Sequence, residues 1–507
     1  MNQPHGQSSH GTDHDKAIAA WREILGSEAV VSAPAQLAAA ERNTSAFPSR
    51  DLAAILRPTQ ADQVVDVVRV AREHHVPLHP VSTGLNWGLG SRLPLRPGTA
   101  LLDLSGAHRI RSVDTRGRYA VVEPGVTQLQ LADYLAEHHP ELAVNVTGSS
   151  PNSSVVGNLL ERGTGFRRHR ADEVRGLEVV TGRAELIRTG LWSGVGARHP
   201  HHYRHGLGPQ LDGLFVQSGL GIVTAAVVDL VPRRAELRLL MFSFSEELLP
   251  EVFEAVRDLF TGDVLRSITH VFNDKRILSM SDSTQVPTWT GVVALDGSRA
   301  QVDLASQEAR AALTAAGTAP REVSAQTAAE EGADPLLSAM FAVHSGRPTT
   351  AFLAGLHQAA GATTVPDPAT LDALDDSAIG YLACMPVIPV DGASARELVT
   401  LVEEICARYA IVPALAINPM NADYAEVVIN LYFDRTDERR TRDAHACNDE
   451  LYRGLYARGF RFYRVGIDAM EFVTGQDTAP WGVIGQLKDA LDPDGVIAPG
   501  RYAPATD

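Results

Sequence analysis

A glycine-rich loop stands at residues 80–90, in the segment PVSTGLNWGLG. Gly84, Gly88 and Gly90 carry no side chain, so backbone N–H groups of this loop can approach a ligand closely and hold a pyrophosphate. A tight turn that binds nothing is the alternative interpretation. The spacing is not the GxGxxG of a nicotinamide-binding domain, whose motif would open the first β-α turn, and this argues against a nicotinamide dehydrogenase.

A second loop, TGSSPNSSVVGN, contains small residues that donate or accept hydrogen bonds. They are Gly148, Ser149, Ser150, Ser154, Gly157 and Asn158. Two such loops fit a ligand that is longer than a single phosphate.

The chain before each loop has the pattern of a regular element. LAAILRP predicts a strand, ADQVVDVVRVAREHH has apolar residues at helical spacing, and VPLHPVSTG predicts a strand that runs into the first loop. The helix TQLQLADYLAEHH precedes the second loop, and GLEVVTGRAELIRTG predicts a hairpin after it. A β-α-β unit therefore presents the first loop.

The character of the sequence changes after Pro232, where glycine loops become rare and alanine-rich helices appear. GYLACMPVIPV and AEVVINLYFD predict strands of an antiparallel sheet flanked by helices, so we predict an α+β fold. The predicted parts are a disordered tail (1–17), a first domain (18–235), a second domain (236–458) and a C-terminal return to the first domain (459–507).

Composition limits the partners. The 507 residues carry a formal net charge of -16, which leaves no positive field for nucleic acid or anionic lipid. The tail lacks the basic and apolar stretches of a signal peptide, and no run approaches the length of a membrane span. Three cysteines without metal spacing indicate reduced thiols in a cytoplasm. We expect no metal at the tail histidines His5, His10 and His14.

The loops and the segments around them resemble, in the same order, the vanillyl-alcohol oxidase and p-cresol methylhydroxylase family of FAD-linked oxidases. PVSTGLNWGLG is similar to its pyrophosphate loop, VVGNLLERGTGF to its flavin-contacting turn, and GFRFYR and LDPDGVIAPGRY to its C-terminal return. The resemblance implies an FAD-binding domain of two α/β subdomains and a cap domain, residues 236–458, that covers the substrate.

The resemblance also implies where FAD is bound, with its ring at the junction of the two domains. The residues that it assigns to the cofactor are Ser82, Thr83, Gly84, Leu85, Asn86, Trp87, Gly88, Gly90, Pro124, Gly125, Gly148, Ser149, Ser154, Gly157, Asn158, Glu161, Gly165, Gly221, Ile222, Val223, Arg464 and Arg501.

Tyr463 and Arg464 in GFRFYR stand at the family's Tyr-Arg pair. In the family, two tyrosines and an arginine stabilise a phenolate, whose charge promotes loss of a hydride to flavin N5. Arg464 would also offset charge at the N1 and C2 carbonyl edge of reduced flavin. An exposed strand end with a surface arginine is the alternative.

Leu89 stands where the family has its other tyrosine, and it cannot donate a hydrogen bond. Either the substrate is not held as a phenolate, or Tyr463 and Arg464 hold it alone.

The segment GTGFRRHRADEVRG departs from the family by being short and basic. Asp172 is the candidate for the family's acidic residue beside the flavin, although Ala171 occupies that place in an ungapped count. A salt bridge of Asp172 to Arg168 or Arg170 is the alternative. The basic residues 167–170 form either a solvated face or an attractor for an anionic substrate.

Family members often bind FAD covalently through a histidine or tyrosine on a cap strand, which aligns with AEVVINLYFD. Val427 stands at the matching place and cannot form the bond, so we predict non-covalent FAD. Tyr424 and Tyr432 lie nearby on the same segment.

These inferences predict an FAD-dependent oxidase or dehydrogenase that removes a hydride from a small organic alcohol or amine, aromatic compounds included. A flavin-binding protein of the same fold with an isomerising or scaffold role is the alternative. The expected acceptor is oxygen or an electron-transfer protein, and a homodimer is an open alternative to a monomer.

Overall fold

The computed structural model describes residues 9–194, 196–281, 286–330, 334–362, 371–476 and 478–503. The helices are α1 Ser9–Leu25, α2 Pro34–Ala40, α3 Ala61–Glu73, α4 Gln128–His138, α5 Val155–Leu160, α6 Leu249–Thr261, α7 Asp274–Leu278, α8 Arg299–Ala315, α9 Ala325–Ala329, α10 Pro335–His344, α11 Leu356–Ala360, α12 Gly392–Arg408, α13 Glu438–Ala457, α14 Met470–Thr474 and α15 Thr478–Leu491.

The strands are interspersed with these helices along the chain. They are β1 Val30–Val31, β2 Ala54–Leu56, β3 Leu78–Val81, β4 Ala100–Asp103, β5 Ile110–Asp114, β6 Tyr119–Val122, β7 Leu142–Ala143, β8 Val174–Thr181, β9 Leu186–Arg188, β10 Gly221–Asp229, β11 Val231–Pro232, β12 Glu236–Phe244, β13 Thr269–Asn273, β14 Trp289–Gly297, β15 Ala319–Val323, β16 Ile379–Pro389, β17 Ala414–Pro419, β18 Tyr424–Asp434 and β19 Arg461–Arg464.

A four-stranded sheet, ordered β1-β2-β4-β3, forms the first layer. Strands β2 and β3 both run parallel to β4, and α3 connects β2 to β3. Val64, Val67, Val68 and Ala71 recur at helical spacing on α3 and are buried in the core of this layer. The predicted β-α-β unit is confirmed, and it delivers residues 82–90 beyond the carboxyl end of β3.

A five-stranded antiparallel sheet, ordered β5-β6-β10-β8-β9, forms the second layer. The predicted hairpin is β8 paired with β9, and β10 lies in the centre with almost every residue buried. Because both faces of β10 are covered, its sequence reads as a continuous apolar run. The second loop, residues 147–158, leads into α5 beside this sheet.

The cap is an eight-stranded antiparallel sheet, ordered β15-β12-β14-β13-β17-β18-β16-β19. Alternation along β18 gives the sheet two distinct faces. Val427, Ile429 and Leu431 are fully buried in the core that the sheet shares with α6, α8, α12 and α13. Glu426 and Val428 lie on the opposite face, which packs on the first half of the chain.

The structure differs from the predicted domain limits at two points. Residues 9–17, expected in the disordered tail, belong to α1, whose Ala17 and Trp21 are buried against α3. Because this segment is polar, its sequence did not predict a helix. Packing against α3 stabilises the helix. At the other end, β19 pairs with β16 and is therefore an edge strand of the cap, so the chain leaves the cap after Arg464.

The described helices include none that is both long enough and apolar enough to cross a membrane.

Candidate flavin groove and the cleft at Tyr463

Both predicted loops, the start of β10 and the C-terminal return form the walls of one groove. The predicted cofactor residues that line it are Ser82, Thr83, Gly84, Leu85, Asn86, Ser154, Gly157, Asn158, Glu161, Gly221, Val223, Arg464 and Arg501. Sequence reasoning missed His79, Ser91, Ser153, Phe215, Gln217 and Ser218, which also line it. Ser153 lies in the second loop and Ser91 directly follows the first; the other four lie outside both loops, so no small-residue motif marked them.

Hydrogen bonds tie the two loops together. Thr83 Oγ1 accepts a hydrogen bond from the backbone N–H of Ser154 at 3.1 Å. The Ser154 hydroxyl caps α5 by accepting from the Gly157 N–H at 2.9 Å, and it donates to the Pro124 carbonyl at 2.5 Å. A Cβ at Gly157 would lie 3.4 Å from Ser82 Oγ. The two loops therefore border one narrow space from opposite sides.

The groove carries unsatisfied polar groups and positive charge. Ser153 Oγ and Arg464 Nε are buried and have no hydrogen-bond partner in the described chain. Glu161 lies 2.5 Å from Arg501 and 4.0 Å from Arg464, so two arginines share one carboxylate. Buried donors and an uncompensated positive charge suit a bound anion. The residues present fit the pyrophosphate and polar edge of FAD.

Three predicted cofactor residues of the first loop are not among the residues that line the groove. Gly88 has φ +76°, and a Cβ there would approach the Tyr381 ring to 3.0 Å. Gly90 has φ +108°, and its Cβ would lie 2.8 Å from Ile467. Trp87 is buried in an apolar cluster with Leu356. Close approach of Tyr381 and Ile467 therefore requires these two glycines, and their contact with the pyrophosphate stays a prediction.

The remaining predicted cofactor residues support the groove or lie at the junction. A Cβ at Gly125 would meet the Ser105 carbonyl at 2.2 Å, so this glycine allows two backbones to touch. Ile222 is buried in the core behind the groove. Gly148, Ser149 and Gly165 lie where the second loop and the turn after α5 meet the cap side; their contact with the cofactor stays a prediction.

Tyr463 and Arg464 lie at the boundary between this groove and a second, solvent-open cleft. Nη2 of Arg464 donates a hydrogen bond to the Asn86 side-chain oxygen in the groove. Tyr463 lines the cleft, and its hydroxyl lies 3.5 Å from Thr164 Oγ1. Burial raises the pKa of Tyr463, and the Glu426 carboxylate raises it further. Tyr463 is therefore a neutral hydrogen-bond donor at physiological pH.

Glu426 is the functional candidate that sequence reasoning missed. Its carboxylate is 2% exposed, accepts a hydrogen bond from Thr164 Oγ1 at 2.5 Å and lies 3.1 Å from His169 Nε2. Within the described residues it forms no ion pair with an arginine or lysine. Its sequence signal is a carboxylate within the mostly apolar segment AEVVINLYFD; the face of the strand that it occupies is fixed only by the packed sheet.

Asp172 lies in the wall of the same cleft. The alternative salt bridges are wrong, since both Arg168 and Arg170 pair with Glu173. Arg167 pairs with Asp296. Three arginines of the basic segment thus pair with two carboxylates of the fold, and attraction of an anionic substrate stays a prediction. A catalytic role for Asp172 stays a prediction.

Leu89 belongs to an apolar wall between the loop and the cap. It is 2% exposed and packs with Ala383 and Met385, and Val428 and Tyr463 border the same cluster. Leu89 itself presents only apolar atoms at the position where the family resemblance implies a tyrosine hydroxyl.

The structure contradicts the alignment of Val427 with the family's flavin-linking residue. Val427 is fully buried in the core on the far side of the cap sheet, so its identity says nothing about the flavin. Tyr381 on β16 lies on the near face, against Gly88, and donates a hydrogen bond to Asn430 at 2.6 Å. Tyr381 is a cap-strand tyrosine beside the glycine loop.

Neither a metal cluster nor a disulfide occurs in the part of the chain that the structure describes. No group of three His, Cys, Asp or Glu side chains is arranged to hold a metal ion there. Cys384, Cys406 and Cys447 are buried free thiols in the cap.

Residues 52–190 match the FAD binding domain family, the part of the chain that carries both loops. Along 96% of its length the chain is 33% identical to 1'-carboxy-chondrochloren decarboxylase of Chondromyces crocatus, 97% of which is covered. The chain belongs to the p-cresol methylhydroxylase and vanillyl-alcohol oxidase family. It is 26% identical to the 4-cresol dehydrogenase [hydroxylating] flavoprotein subunit of Pseudomonas putida, over 96% of this chain and 95% of that protein.

The chain has the fold seen in the crystal structure of substrate-bound p-cresol methylhydroxylase. The TM-score is 0.89 and the sequence identity is 24%, over 99% of both chains. As a member of this family the protein is an FAD-linked oxidoreductase. The predicted fold, family and cofactor are confirmed.

Proposed function

We propose that the protein oxidises a small aromatic alcohol or amine by removing a hydride from the carbon next to the ring. The strongest support is the position of two consecutive residues of β19. Arg464 lines the flavin groove, and Tyr463 lines the cleft. The relatives whose names mention cresol support an aromatic substrate class.

Bound FAD supplies a two-electron acceptor next to the substrate carbon. The chain's own residues would hold and polarise the substrate. The Tyr463 hydroxyl and the Arg464 guanidinium donate hydrogen bonds to a substrate oxygen, and their donors stabilise negative charge that develops on it. Leu89, Met385 and Val428 contact the ring and exclude water, which strengthens these electrostatic interactions.

Without a hydroxyl at Leu89, two donors replace the family's three. We therefore propose slower oxidation of phenols than a third donor would give, unless another group assists. Asp172 lies at the cleft wall and is proposed as an acid-base group on the solvent side of Tyr463.

A second candidate is oxidative decarboxylation of an aromatic acid, favoured by the decarboxylase relative at 33% identity. In this reaction the bond between the benzylic carbon and the carboxylate breaks in place of the C–H bond. Carbon dioxide leaves, and the electron pair of the broken bond passes to the two-electron acceptor. Water then adds to the electron-poor benzylic carbon with loss of a proton, which gives a benzylic alcohol. The same tyrosine and arginine would stabilise the phenolate that drives the step.

The test is anaerobic reduction of the purified yellow holoenzyme, followed by loss of flavin absorbance. The panel is 4-hydroxybenzyl alcohol, benzyl alcohol, 4-hydroxybenzylamine and 4-hydroxyphenylacetate. Bleaching by an alcohol or amine supports the first candidate, and bleaching by the acid with release of carbon dioxide supports the second. FAD that is bound but reduced by none of the four supports the non-redox alternative. Re-oxidation in air then shows whether oxygen is the acceptor.

A further inference from the structure

A third cavity, of about 290 Å³, shares no lining residue with the flavin groove or the cleft. Four of its seven lining residues are arginines, namely Arg118, Arg168, Arg175 and Arg234, and only Asp229 is acidic. The formal net charge of the chain is -16, so this cavity is a local concentration of positive charge on an acidic protein.

Neighbouring elements hold these arginines around one space. Arg175 is the second residue of β8, and Asp229 ends β10, the antiparallel neighbour of β8. The Leu230 N–H donates a hydrogen bond to the Arg118 carbonyl at 2.8 Å, which fixes the turn before β6 against the end of β10. Arg234 follows β11, where the chain enters the cap. The guanidinium groups are therefore brought together by the second sheet and its connections.

The nearby carboxylates already have arginine partners. Asp229 forms an ion pair with Arg175. Glu173 is fully buried, accepts a hydrogen bond from Arg168 Nε at 2.7 Å and also pairs with Arg170. Two carboxylates thus serve three arginines, which leaves one positive charge unbalanced.

The other two arginines of the cavity add to this excess. Arg118 and Arg234 are exposed, and neither forms an ion pair within the part of the chain that the structure describes. Nη2 of Arg168 is buried and has no hydrogen-bond partner among the described residues. A buried guanidinium N–H is normally satisfied by an acceptor, and a charged acceptor gives the strongest hydrogen bond.

We propose that this cavity binds a small anion of the phosphate class, either inorganic phosphate or the phosphomonoester group of a small molecule. The planar forks of Arg118, Arg168 and Arg234 match the oxygens of such an anion. Pockets for small molecules commonly measure about 300–1,000 Å³, so this cavity suits a ligand at the small end of that range. The proposal goes beyond the oxidation reaction and does not depend on it.

An anion held here would contact three separate parts of the chain. Arg118 belongs to the turn before β6, Arg168 to the turn after α5 and Arg234 to the segment that leads into the cap. A ligand that binds these parts only when they are folded together stabilises the folded protein. Phosphate should therefore raise the melting temperature more than chloride does at the same ionic strength.

The test is isothermal titration calorimetry on the FAD-loaded holoenzyme, whose flavin groove is filled, at pH 7.5 and constant ionic strength. The probes are sodium phosphate and glycerol 3-phosphate. We expect one saturable site per chain, and tighter binding of one probe identifies the source of the phosphate group. Arg118→Gln and Arg234→Gln should each weaken binding on the order of tenfold, while FAD content and the melting temperature in chloride stay at wild-type values.

The matched control removes the same charge beside the cavity. Arg116 is exposed in the same turn as Arg118 but does not line the cavity, so Arg116→Gln should bind like the wild type. Equal weakening in Arg116→Gln and Arg118→Gln would show general attraction by positive charge and overturn the site.

Phenylglyoxal, which modifies accessible arginines, gives a second measurement that needs no variant. Phosphate should protect Arg118 and Arg234 from modification and leave Arg116 reactive, as mapped by peptide mass spectrometry. The absence of saturable binding of either probe, or binding without protection of Arg118 and Arg234, overturns the proposal. Neither result bears on flavin reduction by the substrate panel, so the two proposals fail separately.

Discussion

Tyr463 and Arg464 are consecutive residues of β19, yet Tyr463 lines the cleft and Arg464 lines the flavin groove. Arg464 reaches Asn86 of the glycine loop, while the Tyr463 hydroxyl faces Thr164. A register shift in the pairing of β19 with β16 falls at Tyr463, and this bulge interrupts the regular alternation of side chains. The proposed function uses the place of the pair at the junction of the two cavities, where both side chains would donate to one substrate oxygen.

Gly157→Val should reduce the FAD content of the purified protein. Its Cβ would enter the space beside Ser82 Oγ and Ser154, where the two loops border the groove. The glycine lies in α5, so valine can adopt its backbone conformation and the fold should survive. Gly485→Val on α15, where a Cβ meets nothing within 4 Å, is the matched control. Equimolar FAD in Gly157→Val would remove this glycine from the groove.

We expect Tyr381 to form a covalent bond to FAD. It is a tyrosine on a cap strand beside the glycine loop, the residue type and place that the family uses for a covalent link. With Val427 turned away, we now expect the yellow colour to stay with acid-precipitated wild-type protein and to be released from Tyr381→Phe. Tyr432→Phe, whose ring lies 5.1 Å from that of Tyr381, should retain the colour. Yellow supernatant from the wild type would show that the flavin is not linked.

Leu89→Tyr should slow substrate oxidation even though it adds the family's hydroxyl. Leu89 is 2% exposed between Ala383 and Met385, so a larger ring must displace its neighbours at a cost of about 1–3 kcal/mol. Leu89→Met conserves volume and should be close to wild type. The measurement is the rate of anaerobic flavin reduction together with the melting temperature. A faster reaction of Leu89→Tyr with a phenol would show that the pocket has room for the third donor.

The fold should lose stability as the pH falls from 6.5 towards 4. Burial lowers the pKa of His270 from 6.5 to about 4, and it lowers that of His79 to about 3. Below pH 6.5 the unfolded chain therefore binds protons that the folded protein does not, so the stabilising effect present above pH 6.5 is lost on acidification.

Each such histidine contributes a slope of about 1.4 kcal/mol per pH unit in this window. His270→Gln should make the dependence of the unfolding free energy on pH shallower by one proton, whatever its effect on stability at pH 7. The same substitution at an exposed position, His108→Gln, is the matched control. An equal slope in His270→Gln would mean that His270 is protonated in the folded protein.

The sequence predicted the elements whose own residues follow a local pattern. The spacing of Val64, Val67 and Val68 identified α3, and the small residues around Ser154 identified the second loop. The sequence could not show that Gly88 faces Tyr381, because that contact joins residues almost three hundred positions apart. Glu426 escaped notice for the same reason: its partners Thr164 and His169 come from the other domain.

The placement of Val427 failed for a different reason. A strand alternates its side chains, and a shift of one residue in an alignment exchanges the two faces. The burial of Ile429 and Leu431 on the same side as Val427 fixes the face, and this information comes only from the packed sheet. Similarly, α1 begins in a polar run whose helix depends on packing against α3.

The account's central claim is that the Tyr463 and Arg464 pair stabilises the charge that develops as the substrate is oxidised. The direct measurement is the rate of anaerobic flavin reduction by the best substrate of the panel, in variants whose FAD content equals that of the wild type. Arg464→Ala should be slower by on the order of a hundred- to a thousandfold, the loss expected for one preorganised donor. Arg464→Lys should be nearly as slow, because lysine lacks the planar fork that reaches Asn86 and the substrate together. Arg453→Ala, on the exposed side of α13, should reduce its flavin at the wild-type rate. A wild-type rate in Arg464→Ala with full FAD would contradict the claim.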